Sequence, residues 1–469
     1  MRPTLRSANR LVPRRISTLT SMIVPVVIPQ LPPGFQFGTS ASAYLVEGAT
    51  AEDGRGSCIW DVFSRREGAI HDGSNADRAA DHYHRVDEDV ALLQRLGAGV
   101  YRFSVSWPRI QPHGRGTVNA RGLDFYDRLV DRLLEAGISP AATLYSGDLP
   151  QALEDDGGWL NRATVEAFAE YAAIVADRLA DRVTQWVPVQ DPNVAAFLGY
   201  GVGEWAPGRQ LGFAAIPAIH HLLVAHGRGA IALREAGATD VGCATHHSPI
   251  WPMSDDPADV GAAKLVDTAW NAVPLEAMLL GRYPTDLAAL FDEVVEPGDL
   301  ATIRQPLDFY GINFFAPQRV GAAEEGAEIP IRVVPLLGHP ATDVGWAVVP
   351  AALREWLVIT RARYRAALPP FVVTQCGAAY DIPLVEGVVD DQIRIDFLTA
   401  HLEAVSAAIK RGVDVRGFYA YTLLDGWDWD EGYTSKYGLV HVDLETFVRT
   451  PKRSFQWYAD VIAAQGQQV

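Results

Sequence analysis

Residues 99–145 read "GVYRFSVSWPRIQPHGRGTVNARGLDFYDRLVDRLLEAGISPAATLY", and the order of patterns within them decides the fold. The opening GVYRFSVSW (99–107) is a short apolar run of β-formers, the pattern of a buried strand. DFYDRLVDRLLEAG (124–137) then switches to helical spacing and places Phe125, Leu129, Leu133 and Leu134 on one side. SPAATLY (139–145) is a second apolar run. Strand, amphipathic helix and strand in immediate succession form a parallel-sheet unit.

The same alternation continues outward in both directions. Apolar runs recur at Phe35–Ser42, Val183–Val189, Asp240–His246, Leu307–Phe315, Pro370–Thr374 and Val415–Leu424, making eight in all. The intervening segments TVEAFAEYAAIVADRLADR and IRIDFLTAHLEAVSAAIKRG carry the helical period. No linker or low-complexity stretch interrupts the chain from Phe35 onward. Eight strand–helix alternations predict one (β/α)8 TIM barrel over 31–469, with its ligand site at the C-terminal ends of the strands.

The first 30 residues are set apart from that pattern. They hold five Arg before residue 16, no acid and several Ser and Thr. A transit peptide has this composition, and so does an upstream start codon with Met22 as the true start. The latter is the reading adopted, since no clear cleavage site follows. MIVPVVI (22–28) is too short to span a bilayer.

The 469 residues carry a net charge of −17, which argues against nucleic acid or an anionic membrane as partner, because both require clustered cations. A small molecule, uncharged or cationic, is the expected partner, with a homo-oligomer left open. Arg supplies 36 of the 40 basic residues, a bias from which nothing functional follows. Three cysteines, Cys58, Cys243 and Cys376, make no even framework, so a reducing cytoplasm is the expected location.

Long segments of the chain resemble glycoside hydrolase family 1, the β-glucosidase and β-galactosidase family. They include FQFGTSASAYLVEGA, GRGSCIWDVF, GYGVGEWAPG, DFYGINFF and GYTSKYGLVHVDLETFVRTPKRSFQWY, in the family's order. The resemblance covers nearly everything from Phe35 to Gln465. It implies a retaining glycosidase with two glutamates about 5–5.5 Å apart. The acid/base of that pattern falls on Asp191 in Gln190-Asp191-Pro192, and the nucleophile falls on Gln375 in Thr374-Gln375-Cys376-Gly377. An aspartate still moves protons, but an amide carries no charge and is a poor nucleophile.

Other sugar-binding positions of the resemblance also depart from its pattern. A glutamine falls on Leu45, a His-Trp pair on Ser146-Gly147, a tyrosine on Phe315, a tryptophan on Tyr421 and a glutamate on Asp428. Arg102, Asn313, Trp346 and Trp429 remain as the pattern expects. The pocket is therefore expected to be roomier and more apolar, walled by Trp205, Trp346, Trp427 and Trp429.

Asp191 is the expected proton donor or acceptor, with Gln375, Gln190 and Asn313 positioning the ligand. A structural Asp191 bonded to Arg102, and a merely space-filling Gln375, are the bland alternatives. Glu47 reads as the partner of an Arg. Cys376 is adjacent to Gln375 on a strand and so points the other way, which makes it a poor replacement nucleophile. His82-x-His84, His220-His221 and His246-His247 lack acidic or thiol partners at ligand spacing, so no metal and no cofactor is expected. GVGEWAPG does not join a strand to a helix as a phosphate loop does.

These readings lead to non-hydrolytic acid/base chemistry, namely cyclisation, isomerisation or elimination on a bulky, partly apolar molecule of specialised metabolism. A divergent β-glycosidase or transglycosidase and an inactive ligand-binding pseudoenzyme are the alternatives.

Overall fold

The eight apolar runs become eight parallel strands: β1 (Gln36–Ser40), β2 (Val100–Ser104), β3 (Ser139–Tyr145), β4 (Gln185–Val189), β5 (Cys243–His246), β6 (Tyr310–Phe314), β7 (Phe371–Cys376) and β8 (Val415–Tyr421). The computed structural model describes residues 30–327 and 329–466. The N-terminal extension expected over 1–30 lies, apart from Gln30, outside them. Hydrogen bonding runs β4-β3-β2-β1-β8-β7-β6-β5 around the sheet. Parallel bridges Trp186↔Val241 and Gln190↔Ala244 join β4 to β5 and close the ring. A (β/α)8 barrel results, in which each strand ends on the same face.

The outer helices follow from the periodic segments. They are α1 (Val86–Leu96), α2 (Ala120–Glu135), α3 (Ala163–Leu179), α4 (Ile216–Glu235), α5 (Pro350–Tyr364), α6 (Gln392–Ile409) and α7 (Arg453–Gly466). On α2, Phe125, Leu129 and Leu133 are buried against the barrel, but Leu134 is 41% exposed. Leu134 lies about 100° around the helix from Leu133, just past the edge of the apolar stripe. The expectation that it shares the inner face is corrected accordingly. Gly137, at φ +75°, then stops the helix with the left-handed conformation common after a helix C-terminus.

Inside the barrel, Val100, Ala141, Val187, Ala244, Phe309, Val372 and Tyr419 form a separate packed cluster. This packing fills the lumen below the strands' C-terminal rim. A second sheet builds above that rim from three short strands, Ile250–Pro252, Gln318–Ala322 and Ile331–Val334. Among the described residues, no helix is long and apolar enough to cross a membrane.

Candidate active site

A cavity of about 860 Å3 opens at the C-terminal rim. Its floor is made by consecutive strand ends. Ser146 follows β3, Gln190 and Asp191 follow β4, His246 ends β5, Gln375 lies near the end of β7 and Tyr421 ends β8. The ladder of β7 shifts register between Val373 and Gln375. Such an irregularity re-aims a side chain, and Gln375 lines the cavity while Cys376 does not. Burial also pushes the Cys376 thiol well above its ordinary pKa, the opposite of an activated nucleophile.

Asp191 is held by a chain of side-chain hydrogen bonds. Thr374 Oγ1 donates to Asn313 Oδ1 at 2.8 Å, which turns the Asn313 amide nitrogen toward Asp191. That nitrogen donates to both carboxyl oxygens, at 2.9 and 3.0 Å. Gln190 Nε2 adds a weaker contact at 3.3 Å, and Gln190 Oε1 accepts from Arg102 Nη2 at 2.6 Å. Arg102 therefore bonds Gln190 and reaches Asp191 only through its charge. Burial pushes the Asp191 carboxyl up to about 7, outweighing the Asn313 bond, the Arg102 charge and the Gln190 contact. Asp191 also sits in the left-handed region at φ +49°, directly before Pro192. Residues before proline ordinarily stay extended, so this is a strained placement of the kind that collects at active sites.

Asp428 faces the same cavity from a tight turn closed by its mutual backbone hydrogen bonds with Gly432, at 2.9 and 3.1 Å. Burial, then the neighbouring Asp430 and Glu431, raise its carboxyl well above the usual range. Aromatic rings supply the walls. Trp429 lies flat against Tyr44 at 5.9 Å and packs on Trp60 at 4.7 Å and Trp205 at 5.9 Å. On the other side Phe315 contacts Trp346, Tyr421 and His246 at 5.4, 5.6 and 5.5 Å. A Cβ on Gly147 would lie 3.6 Å from both Trp429 and Trp60, so those rings bound the space beside it. Ser146 is turned to Ser42, Oγ to Oγ at 2.8 Å.

Four expected ligand contacts do not reach the cavity surface. Arg102 and Asn313 lie beneath it as the supports just described. Leu45, on the short helix Ala43–Val46, is 4% exposed and accepts the Trp427 backbone N–H through its carbonyl at 2.9 Å. Trp427 donates its indole N–H to Ser74 Oγ at 2.9 Å. Together they back the turn that carries Asp428, and the wall role expected of Trp427 is corrected to this one.

His246 lines the cavity, a place that nothing in its sequence context points to. The sequence marks it only as half of a His pair. Its ring meets Trp270 and Phe315 edge-on, its Nε2 lies 3.4 Å from Ser248 Oγ, and burial pushes its pKa down to about 4. Of the other paired histidines, His84 is exposed and bonds Asp81 and Glu52, and the rest are buried. His82 bonds Asp89, His220 bonds Tyr283 and Asp299, and His247 bonds Asn271 and Tyr310. Among the described residues, no three His, Cys, Asp or Glu side chains are grouped to hold a metal.

Chemically, Asp191 can give or take a proton near neutral pH, and Gln375 can orient a ligand by hydrogen bonds. The family model for glycosyl hydrolase family 1 matches residues 28–467. A β-glucosidase of Agrobacterium sp. is 40% identical over 92% of this chain and 95% of its own length. A bifunctional β-D-glucosidase/β-D-fucosidase of Bifidobacterium breve is 41% identical over 92% and 98%. Among solved structures, the family 1 β-glucosidase of Exiguobacterium antarcticum superposes with TM-score 0.90 at 36% identity, over 94% of this chain and all of that one. The chain belongs to glycosyl hydrolase family 1.

Proposed function

We propose that this protein carries out non-hydrolytic acid/base chemistry on a bulky, partly apolar small molecule, with Asp191 moving the proton. One observation carries the reading: at the end of β7 the group presented to the cavity is the neutral amide of Gln375. A double displacement needs an anion there, both to attack the anomeric carbon and to stabilise positive charge. Gln375 provides neither. Asp191, by contrast, retains a carboxyl pushed into the range useful to a general acid or base. A proton delivered at one position and withdrawn at another is all that an isomerisation, cyclisation or elimination requires of it. The apolar cavity lining, including Phe197, Leu198 and Trp270, suits a substrate larger and less polar than a monosaccharide.

A glycosidase reading draws support from Asp428, a second carboxyl in the same cavity, and from β-glucosidases at about 40% identity. It would be an inverting or substrate-assisted reaction. The deciding experiment incubates the protein with aryl β-glucosides, β-galactosides and β-fucosides. We expect release of the aryl alcohol no faster than in the protein-free blank, and expect Gln375→Glu alone not to establish it. Turnover by the native protein that disappears in Asp191→Asn would replace the proposal with the glycosidase reading.

A further inference from the structure

The cavity described above has unused polar groups that constrain what can fill it. The Gln375 side chain is only 3% exposed, faces the cavity and has no hydrogen-bond partner among the described residues. The hydroxyls of Tyr421 and Tyr437, 8% and 6% exposed by residue, are likewise unpartnered and line the same space. Their polar atoms open onto the cavity with no partner from the protein, so a ligand there can bond all three.

Charge narrows the chemistry further. Asp428 lines the same space as Tyr421 and Tyr437, and its charge adds to burial in raising both hydroxyl pKa values. Asp430 and Glu431 follow it in sequence and line the cavity too. Among the described residues, no Lys or Arg pairs with Asp428. The one Arg lining the cavity, Arg319, donates to the Met253 carbonyl, and the imidazole of His71 sits 3.4 Å from Glu431. A hydroxyl donor would satisfy one lone pair of Asp428 and leave the mutual repulsion of the carboxylates untouched. A cation would relieve both. The surrounding rings favour the same choice. Tyr421 and Tyr437 lie 5.2 Å apart, Phe315 meets Tyr421, and Trp429 lines the same cavity. Aromatic faces grouped around a carboxyl are a recurrent way to hold an ammonium group.

We propose that the ligand of this cavity carries a protonated basic nitrogen, with Asp428 as its counter-ion, the rings of Tyr421, Tyr437 and Trp429 around it, and Gln375 bonding the adjoining polar group. The proposal rests on reading this cavity as the remodelled small-molecule site, and it names the class of molecule that site takes.

The test compares two probes of matched shape, 4-phenylbutylamine and 4-phenylbutanol, by calorimetric titration of the full chain at pH 8 and low salt. The amine is expected to bind at least tenfold more tightly. Asp428→Asn should cut the amine's advantage over the alcohol to less than twofold, with a thermal unfolding midpoint close to that of the native protein showing that the variant is folded. Tyr437→Leu should weaken the amine at least threefold more than the alcohol. Equal affinities, a preference that survives Asp428→Asn, or no binding by either probe would overturn the proposal. The measurement is made at equilibrium without turnover, so its outcome is independent of whether the cavity proves hydrolytic.

Discussion

At the scale of single residues, the clearest tension is a carboxyl kept partly out of water without a cation bonded to it. Asp191 has its folded-state pKa raised from 3.8 to about 7. The ionised form is therefore penalised in the native state. That penalty is absent below the unfolded value and complete above the folded one. Three pKa units would be at most about 4 kcal/mol; because the group borders an open cavity, a gain of about 1–2 kcal/mol on neutralising it is the sensible scale. Asp191→Asn, which can still accept the Asn313 hydrogen bond, should thus stabilise the protein at pH 8 and lose that advantage near pH 4. Urea denaturation of both proteins at the two pH values checks this, and equal stabilities at pH 8 would contradict it. Asp191 and Gln375 were legible in the sequence because flanking residues fix their place at strand ends. His246 was not, since a histidine pair carries no sign of which ring faces the lumen. Trp427 misled for a related reason: proximity to Asp428 along the chain does not say which side of a turn a side chain occupies.

At the scale of elements, all eight strands could be read because parallel barrel strands are buried on both faces and appear as continuous apolar runs. The rim sheet of Ile250–Pro252, Gln318–Ala322 and Ile331–Val334 could not. Its strands are three to five residues long, with Arg319 and Arg332 interleaved among apolar residues, so no window shows a clean period. The partner expected for Glu47 is Arg109. Glu47 accepts from Arg109 Nε at 3.0 Å and from the Tyr126 hydroxyl at 2.6 Å. This network ties the segment after β1 to the helix Trp107–Ile110 and to α2, beneath the rim that holds the site. Arg109 is fully buried, stacked over the Tyr83 ring at 4.2 Å. Glu47→Ala would leave that guanidinium without its counter-charge, and breaking a buried pair from one side costs about 3–5 kcal/mol. We expect a loss of that size in chemical denaturation, together with weaker ligand binding at the rim. A loss below about 1 kcal/mol would mean that solvent reaches Arg109.

For the whole molecule, pH dependence is set by opposing populations of buried groups. His220, His221, His226, His246, His247 and His401 all have lowered pKa values, the last four to between about 3 and about 4. Below their ordinary value of 6.5, the unfolded chain binds protons on these rings that the native state refuses. Acidification from 6.5 toward 4 therefore costs native stability. Asp148, Asp191, Asp240 and Asp428 are raised instead, and protonating them over the same window relieves the native state. Six rings outnumber four carboxyls, so stability should rise with pH across that window. His226 allows this to be tested group by group. It is 1% exposed on α4, and neither ring nitrogen has a hydrogen-bond partner among the described residues, so Leu can replace it without orphaning a neighbour. His226→Leu removes one linked proton and should flatten the dependence of unfolding free energy on pH between 4.5 and 6 by about 1 kcal/mol per pH unit. Comparing slopes between the two proteins cancels the changing net charge, which both share. Urea midpoints collected at half-unit intervals would measure the difference, and parallel lines for the two proteins would show that His226 titrates alike folded and unfolded.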